Sequence, residues 1–265
     1  MKVGFIGVGN MAQALIKGLL HAQAVSGSEI FIHSAHRANY EPYAAKYDLH
    51  ACADNSEVVT NSDYVFLAVK PLAAGPILAE IKPALLQKKP VVLSMLTGVK
   101  LSELENFVGE SDIEFLRIMP NVNVAINQGA TALVGNAALT KEHLSAAQKL
   151  LAALGQTTAL SEKDFSTFVA LAGSSPAYVY FYIDAMAKTG VKYGLTKKQA
   201  VQIAAQAVLG SAANVLASDK SPQDLIDDVC SPGGTTISGL LAMEEAGFMT
   251  AVIKGIDVTI AKDQQ

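Results

Sequence analysis

Up to Leu160, short apolar runs of strand type alternate with stretches of helical period. The runs Val3–Ile6, Ile30–His33, Tyr64–Val69, Val91–Met95 and Ile113–Ile118 predict strands, and Thr131–Val134 with Thr157–Leu160 predict a closing pair. Between them the apolar spacing predicts helices over Met11–His21, Tyr40–Tyr47, Leu72–Leu86, Leu101–Val108 and Lys141–Ala153. Alternation of that kind builds a mostly parallel sheet covered by helices on both faces. After Glu162 the strand signal stops, and the pattern predicts helices at Asp164–Ala172, Pro176–Thr189, Lys197–Ala217, Pro222–Val229, Thr236–Ala246 and Met249–Lys262. The expected fold class is therefore α/β in residues 1–161, Rossmann-like, followed by an all-helical domain in residues 162–265.

Several of the late helices are apolar on more than one face, as in "AYVYFYIDAMA" and "AVQIAAQAVLGSAANVLA". So short a helical domain cannot bury those faces within itself, which implies packing between subunits and a homodimer built on this half. Composition removes several other classes of partner. The chain is 51% hydrophobic and 17% charged with a net charge of -4, and it has no basic stripe for nucleic acid or an acidic membrane. Every long apolar span is interrupted by polar residues, so no transmembrane helix is expected, and the N-terminal "MKVGFIGVGNM" lacks a signal-peptide core and cleavage site. Two cysteines, Cys52 and Cys230, have no ligand spacing and imply no disulfide framework; the expected compartment is the cytoplasm.

The first strand runs straight into Gly7-Val8-Gly9-Asn10-Met11-Ala12 and then a helix. Gly7 permits the tight turn, Gly9 lets backbone approach a pyrophosphate, and Ala12 lets helix pack on sheet. The helix N-terminus offers free N–H groups to phosphate. An NAD-preferring site usually has an acid at the end of the second strand, yet "FIHSAHRAN" contains none. Ser34 can hydrogen-bond a 2′-phosphate while His36 and Arg37 add positive charge, which points to NADPH, with NADH left open as a second donor. Lys70 and Pro71, ending "FLAVKP", and Met119, Pro120 and Asn121 in "LRIMPNVN" stand at strand ends on the carboxyl edge, where ligands sit in such sheets. Asn55 precedes a helix and reads equally as an N-cap.

The helical half contains a polar knot, "DDVCSPGGTTISGL". All five histidines and both arginines lie before it, so it has no local imidazole or guanidinium. It offers Ser231, Thr235, Thr236 and the amides of Gly233 and Gly234 at a helix start, an anion-binding nest suited to a small carboxylate. A plain capping loop with Thr at the N-cap is the competing structural reading. Cys230 reads as a small buried residue, and Tyr178, Tyr180, Phe181 and Tyr182 read as core or dimer packing.

These motifs resemble the Δ1-pyrroline-5-carboxylate reductase family along essentially the whole chain. The likeness rests on "GFIGVGNMAQALIKGL", "FLAVKP", "GSSPAYVY" and "DDVCSPGGTTISGL". It implies an NADPH-binding domain, a helical dimerisation domain, and assemblies from dimer to decamer. It implies hydride transfer to the imine carbon of a small cyclic imino acid, giving L-proline. Carried over by position, Thr236 meets the imine nitrogen; Ser231, Gly233, Gly234 and Thr235 hold the carboxylate; and Gly7, Gly9, Asn10, Met11, Ser34, Asn55, Ala68, Lys70 and Pro71 contact the cofactor. The resemblance further implies that the substrate loop acts in the partner subunit's site. One departure is Ser175, where the family has Gly in "GSGPAY". Alternatives compatible with parts of the pattern are a reductase of another cyclic imine, a β-hydroxyacid-dehydrogenase-like enzyme, and a non-catalytic dinucleotide sensor. The second of these uses a lysine in the helix matching Ser175 to Lys188, which here has none until its far end.

Overall fold

In a computed structural model, residues 1–109 and 112–264 are described. The chain forms two compact units, Met1–Gly173 with the chain end from Lys262, and Ser174–Ala261.

The first unit is an eight-stranded sheet of order β3-β2-β1-β4-β5-β6-β7-β8. Its strands are β1 (Val3–Ile6), β2 (Ile30–His33), β3 (His50–Ala51), β4 (Tyr64–Leu67), β5 (Val91–Ser94), β6 (Phe115–Pro120), β7 (Gly129–Gly135) and β8 (Gly155–Ala159). All pairings are parallel except β6 with β7. The helices are α1 (Asn10–His21), α2 (Arg37–Tyr47), α3 (Asn55–Asn61), α4 (Ala74–Lys88), α5 (Leu101–Val108), α6 (Lys141–Ala152) and α7 (Phe165–Phe168). The strands are buried on both faces, which explains why they read as continuous apolar runs rather than alternations.

Alternate strand residues feed opposite layers. Val3, Phe5, Tyr64, Phe66, Leu93 and Ile118 pack with α1, α2 and α6 in one core cluster. Ile6, Val65, Leu67, Val92 and Phe115 pack with α3, α4 and α5 in the other. Phe5 and Phe66 stack at 4.6 Å between centroids. Burying each such side chain stabilises the fold by about 1.5–3 kcal/mol.

Arg117 belongs to the second layer but is a buried charge. Its Nη1 donates to Glu162 Oε1 at 2.8 Å, and its guanidinium lies 4.5 Å over the Phe165 ring. The same Glu162 oxygen accepts the Leu101 N–H at the start of α5. One carboxylate thus ties the beginning of the helical segment to both strand and helix.

Two local features depart from the sequence reading. The strand β3, only two residues at the sheet edge, was not predicted. The helix expected over Asp164–Ala172 is instead α7 followed by a π-helix over Val169–Ser174.

The second unit contains α8 (Ser175–Lys192), α9 (Lys197–Ala217), α10 (Pro222–Val229), α11 (Thr235–Glu245) and most of α12 (Phe248–Asp263). Thr196 caps α9 in a capping box with Gln199. Gly190 lets α8 approach α9 closely: a Cβ there would lie 2.9 Å from Ala200 Cβ. Few large side chains are covered. Phe181 is 75% exposed and Leu216 89%, and Tyr178, Phe181, Tyr182, Phe248 and Val252 line an open apolar groove. By length and composition α9 is apolar enough to cross a membrane, contrary to the expectation from sequence. Its many Ala residues keep it apolar despite the polar Gln202, Gln206, Ser211 and Asn214.

Candidate functional site

At the topological switch between β2, β1 and β4, Gly7 is held from both sides. Its N–H donates to His33 O at 2.8 Å, and Ala68 N–H donates to Ile6 O at 2.8 Å. Gly7 adopts φ +94°, and a Cβ there would sit 2.3 Å from Ala68 O, so only glycine fits this turn. Gly9 is different. It is the N-cap of α1 in an extended conformation, and a Cβ on it would meet nothing within 4 Å. The space over Gly9 is therefore open.

The first turn of α1, Asn10 onward, has no side-chain cap and no acid. Its N–H groups and positive dipole end remain available to an anion, and these residues fit a dinucleotide pyrophosphate. Asn10 is exposed and Met11 half-buried at this edge, while Ala12 is buried under the helix.

The second-strand end carries Ser34, half-buried, and then His36 and Arg37, both exposed. The helix expected from Tyr40 begins earlier: Arg37 is the first residue of α2, with His36 as the N-cap. Its Nε pairs with Glu41 Oε1 at 2.8 Å. Asn55 is not an N-cap either. Asp54 caps α3 by accepting the Glu57 N–H, and Asn55 is the first helical residue. The Asn55 side chain is committed on both ends: Oδ1 lies 2.8 Å from His33 Nδ1, and Nδ2 donates to Glu80 at 3.3 Å. Since the amide NH₂ faces a carboxylate, Oδ1 is the acceptor and His33 Nδ1 carries the proton. Ala68 is half-buried beside Gly7, and Lys70 and Pro71 are exposed at the start of a short 3₁₀ turn, Pro71–Ala73. Gly7, Gly9, Ala68, Lys70 and Pro71 thus meet at one sheet edge.

Asn121, read as an edge-lining residue, is a buried hub. Its Oδ1 accepts from Asn123 N and Ala130 N, and its Nδ2 donates to Ala172 O at 3.0 Å in the π-helix. Met119 packs with Ala132 and Phe165 and is buried. Neither side chain is left for a ligand at the surface.

In the second unit, the knot is a turn into α11. Gly234 N–H donates to Ser231 O at 3.0 Å, and Gly233 takes φ +67°. The competing reading put a threonine at the N-cap. The N-cap is Gly234, with no side-chain cap and no acid in the first turn, and Thr235 and Thr236 are the first helical residues. A Cβ on Gly234 would come within 2.5 Å of Ser231 Oγ and 3.0 Å of Ser231 O, so a larger residue there would make the serine hydroxyl move. Ser231, Thr235 and Thr236 are exposed around this uncapped helix start. Cys230 is half-buried rather than buried.

Among the described residues no group of three or more His, Cys, Asp or Glu is arranged to hold a metal. Sequence reasoning missed Glu41, Glu80 and His33. Arg37 and Glu41 stand four apart, a helical pairing visible in the sequence. The His33–Asn55–Glu80 chain joins three separate elements and leaves no local signal.

Residues 162–265 match the family described as pyrroline-5-carboxylate reductase dimerisation, and residues 2–98 match NADP oxidoreductase coenzyme F420-dependent. Pyrroline-5-carboxylate reductase of Escherichia coli (strain K12) is 36% identical over 264 residues, covering 100% of this chain and 97% of that one. The Aquifex aeolicus protein of that name is 37% identical over 262 residues, 99% and 96% of the two chains. A solved 1-pyrroline-5-carboxylate reductase from Streptococcus pyogenes aligns with TM-score 0.88 and 42% identity, covering 100% and 98%. Plasmodium falciparum pyrroline carboxylate reductase with NADP bound aligns with TM-score 0.89 and 29% identity, covering 100% and 97%.

Proposed function

This chain belongs to the pyrroline-5-carboxylate reductase family, and on that premise we propose how its residues reduce Δ1-pyrroline-5-carboxylate to L-proline. When bound, NADPH supplies the hydride for the imine carbon. Gly7, Gly9, Asn10 and Met11 hold its pyrophosphate at the N-terminus of α1. Ala68, Lys70, Pro71 and Asn55 border it along the carboxyl edge. Ser34, His36 and Arg37 receive the 2′-phosphate, and NADH remains usable because nothing there requires that group.

The observation that carries the substrate assignment is the uncapped start of α11: Gly234 at the N-cap, no side-chain cap, and no acid in the first turn. Ser231, Gly233, Gly234 and Thr235 hold the carboxylate through hydroxyls and backbone N–H groups, without a cationic side chain. Thr236 turns its hydroxyl to the imine nitrogen. A protonated imine is already electrophilic, so the protein's task is to orient it rather than to supply a strong acid.

The working form is a homodimer through the helical domain from residue 162 onward, whose exposed apolar side chains suit subunit packing. Dimers assemble further into a decamer, and the two free thiols suit a cytoplasmic setting. In the test, kcat and KM for the imino acid are measured for Thr236→Ala and Thr236→Ser alongside the NADPH dissociation constant. Thr236→Ala is expected to cut turnover with NADPH binding intact, and Thr236→Ser to recover most of it. Unchanged turnover in Thr236→Ala, or an equal loss of NADPH binding, contradicts the role.

A further inference from the structure

Helix α2 starts against its own electrostatics. His36 is the N-cap but makes no side-chain cap, Arg37 is the first helical residue, and the first turn has no acid. A helix N-terminus carries about half a positive charge, so a cation there is unfavourable and an acid is what helix stability alone selects. A local conflict of this kind is resolved when an anion binds at that end. The 2′-phosphate assigned above to Ser34, His36 and Arg37 is that anion.

Glu41 has no part in that assignment, yet it touches its main cation. Glu41 Oε1 lies 2.8 Å from Arg37 Nε, one helical turn along α2, and the two side chains are 47% and 69% exposed. Helix stability does not account for the pair. The basic residue precedes the acidic one, which is the weaker order along the dipole, and exposed pairs of this spacing contribute only about 0.3–0.5 kcal/mol. Its consequence for a ligand is larger, because it puts a carboxylate on the guanidinium that meets the phosphate. The carboxylate draws the side chain along the helix and opposes a second anion beside it.

We infer that Glu41 is a specificity-determining residue that tempers the preference for NADPH over NADH. By pairing with Arg37 it lowers the affinity for the 2′-phosphate and leaves binding of the shared part of the dinucleotide untouched. The inference rests on Arg37 being a 2′-phosphate contact, and the test separates the two claims.

Isothermal titration of the intact protein with NADPH, NADH, adenosine 2′,5′-bisphosphate and AMP gives the dissociation constants without turnover. Glu41→Gln keeps a hydrogen-bonding group and removes the charge. It is expected to tighten NADPH and the bisphosphate about threefold at low salt, with NADH and AMP unchanged. Raising the salt concentration should erase the gain. Arg37→Ala is expected to weaken only the two 2′-phosphorylated ligands. If Arg37→Ala alters all four ligands equally or none, the reading of Arg37 falls, and the inference with it. If Arg37→Ala behaves as expected but Glu41→Gln leaves NADPH unchanged, weakens it, or tightens NADH equally, the role of Glu41 alone is overturned.

Discussion

Alanine at Gly7 and at Gly9 should separate fold from function within one short loop. At Gly7 the backbone has φ +94°, and the added methyl would lie 2.3 Å from Ala68 O and 2.8 Å from Ala68 C. The left-handed conformation costs a non-glycine residue roughly 1–2 kcal/mol. Moving a backbone carbonyl at the end of β4 adds an overpacking cost of about 1–3 kcal/mol. A loss of about 3 kcal/mol corresponds to a melting point lower by about 6–12 °C in a chain of this size. At Gly9 the backbone has φ -76° and ψ -178°, conformations open to alanine, and the methyl meets nothing within 4 Å. Alanine is a poorer N-cap than glycine by about 0.5 kcal/mol, and it offsets that by restricting the unfolded chain by a similar amount. Stability should therefore stay within about 0.5 kcal/mol. The methyl would instead occupy the space assigned to the pyrophosphate, weakening NADPH at least about tenfold, or 1.4 kcal/mol. Thermal unfolding and NADPH titration of both variants provide the readouts. Gly9→Ala that melts early, or that binds NADPH as well as the parent, refutes the reasoning.

Three further outcomes are expected. Arg117→Met, which leaves Glu162 without its 2.8 Å partner while Glu162 keeps the Leu101 N–H, should cost about 2–3 kcal/mol in urea unfolding; a cost under about 0.5 kcal/mol would show the pair to be inert. Glu29 accepts the Ser26 N–H, the N-terminal ammonium and the Ser26 hydroxyl, in that order of effect, which lowers its carboxyl pKa from 4.5 to about 2. A carboxylate with a lowered folded pKa stabilises the fold above its unfolded value and loses that contribution as pH falls from about 4.5 toward 2, so Glu29→Gln should lower stability at neutral pH, flatten the acid-unfolding curve in that window and converge with the parent near pH 2. Burial, then the nearby Glu57 and Asp54 carboxylates, push the Cys52 thiol up to about 12; mass spectrometry after mild alkylation should therefore find Cys230 modified and Cys52 untouched until the protein unfolds. Equal labelling of both thiols in the folded protein would contradict that burial.

How much of this was readable in advance depended on how local the signal was. Strands such as Val3–Ile6 and Val91–Ser94 are uninterrupted apolar runs, and a sheet buried on both faces gives that pattern directly. Two-residue β3 has too few positions to show any period. The π-helix at Val169–Ser174 keeps the apolar spacing of an α-helix, so nothing in "VALAGS" distinguishes the two. The Gly7 turn was legible because its constraint comes from the motif itself and the neighbouring strand. For Asn121, which the sequence allowed equally as a structural or a ligand-edge residue, the structural role was not legible because its partner Ala172 lies 51 residues away. The N-cap reading of Asn55 failed in the same way: Asp54 holds that place, and the Asn55 amide pairs with His33 and Glu80 from two other elements.

We propose that the sheet edge carrying Gly7, Gly9 and Ser34 and the knot from Ser231 to Thr236 serve one reaction. The most direct measurement is the fall in reduced-nicotinamide absorbance when purified protein is mixed with Δ1-pyrroline-5-carboxylate and NADPH, and separately NADH. Rapid, saturable oxidation of NADPH, slower with NADH, with L-proline recovered as the product, is the predicted result. No oxidation of either cofactor by a folded dimer that still binds NADPH would contradict the account.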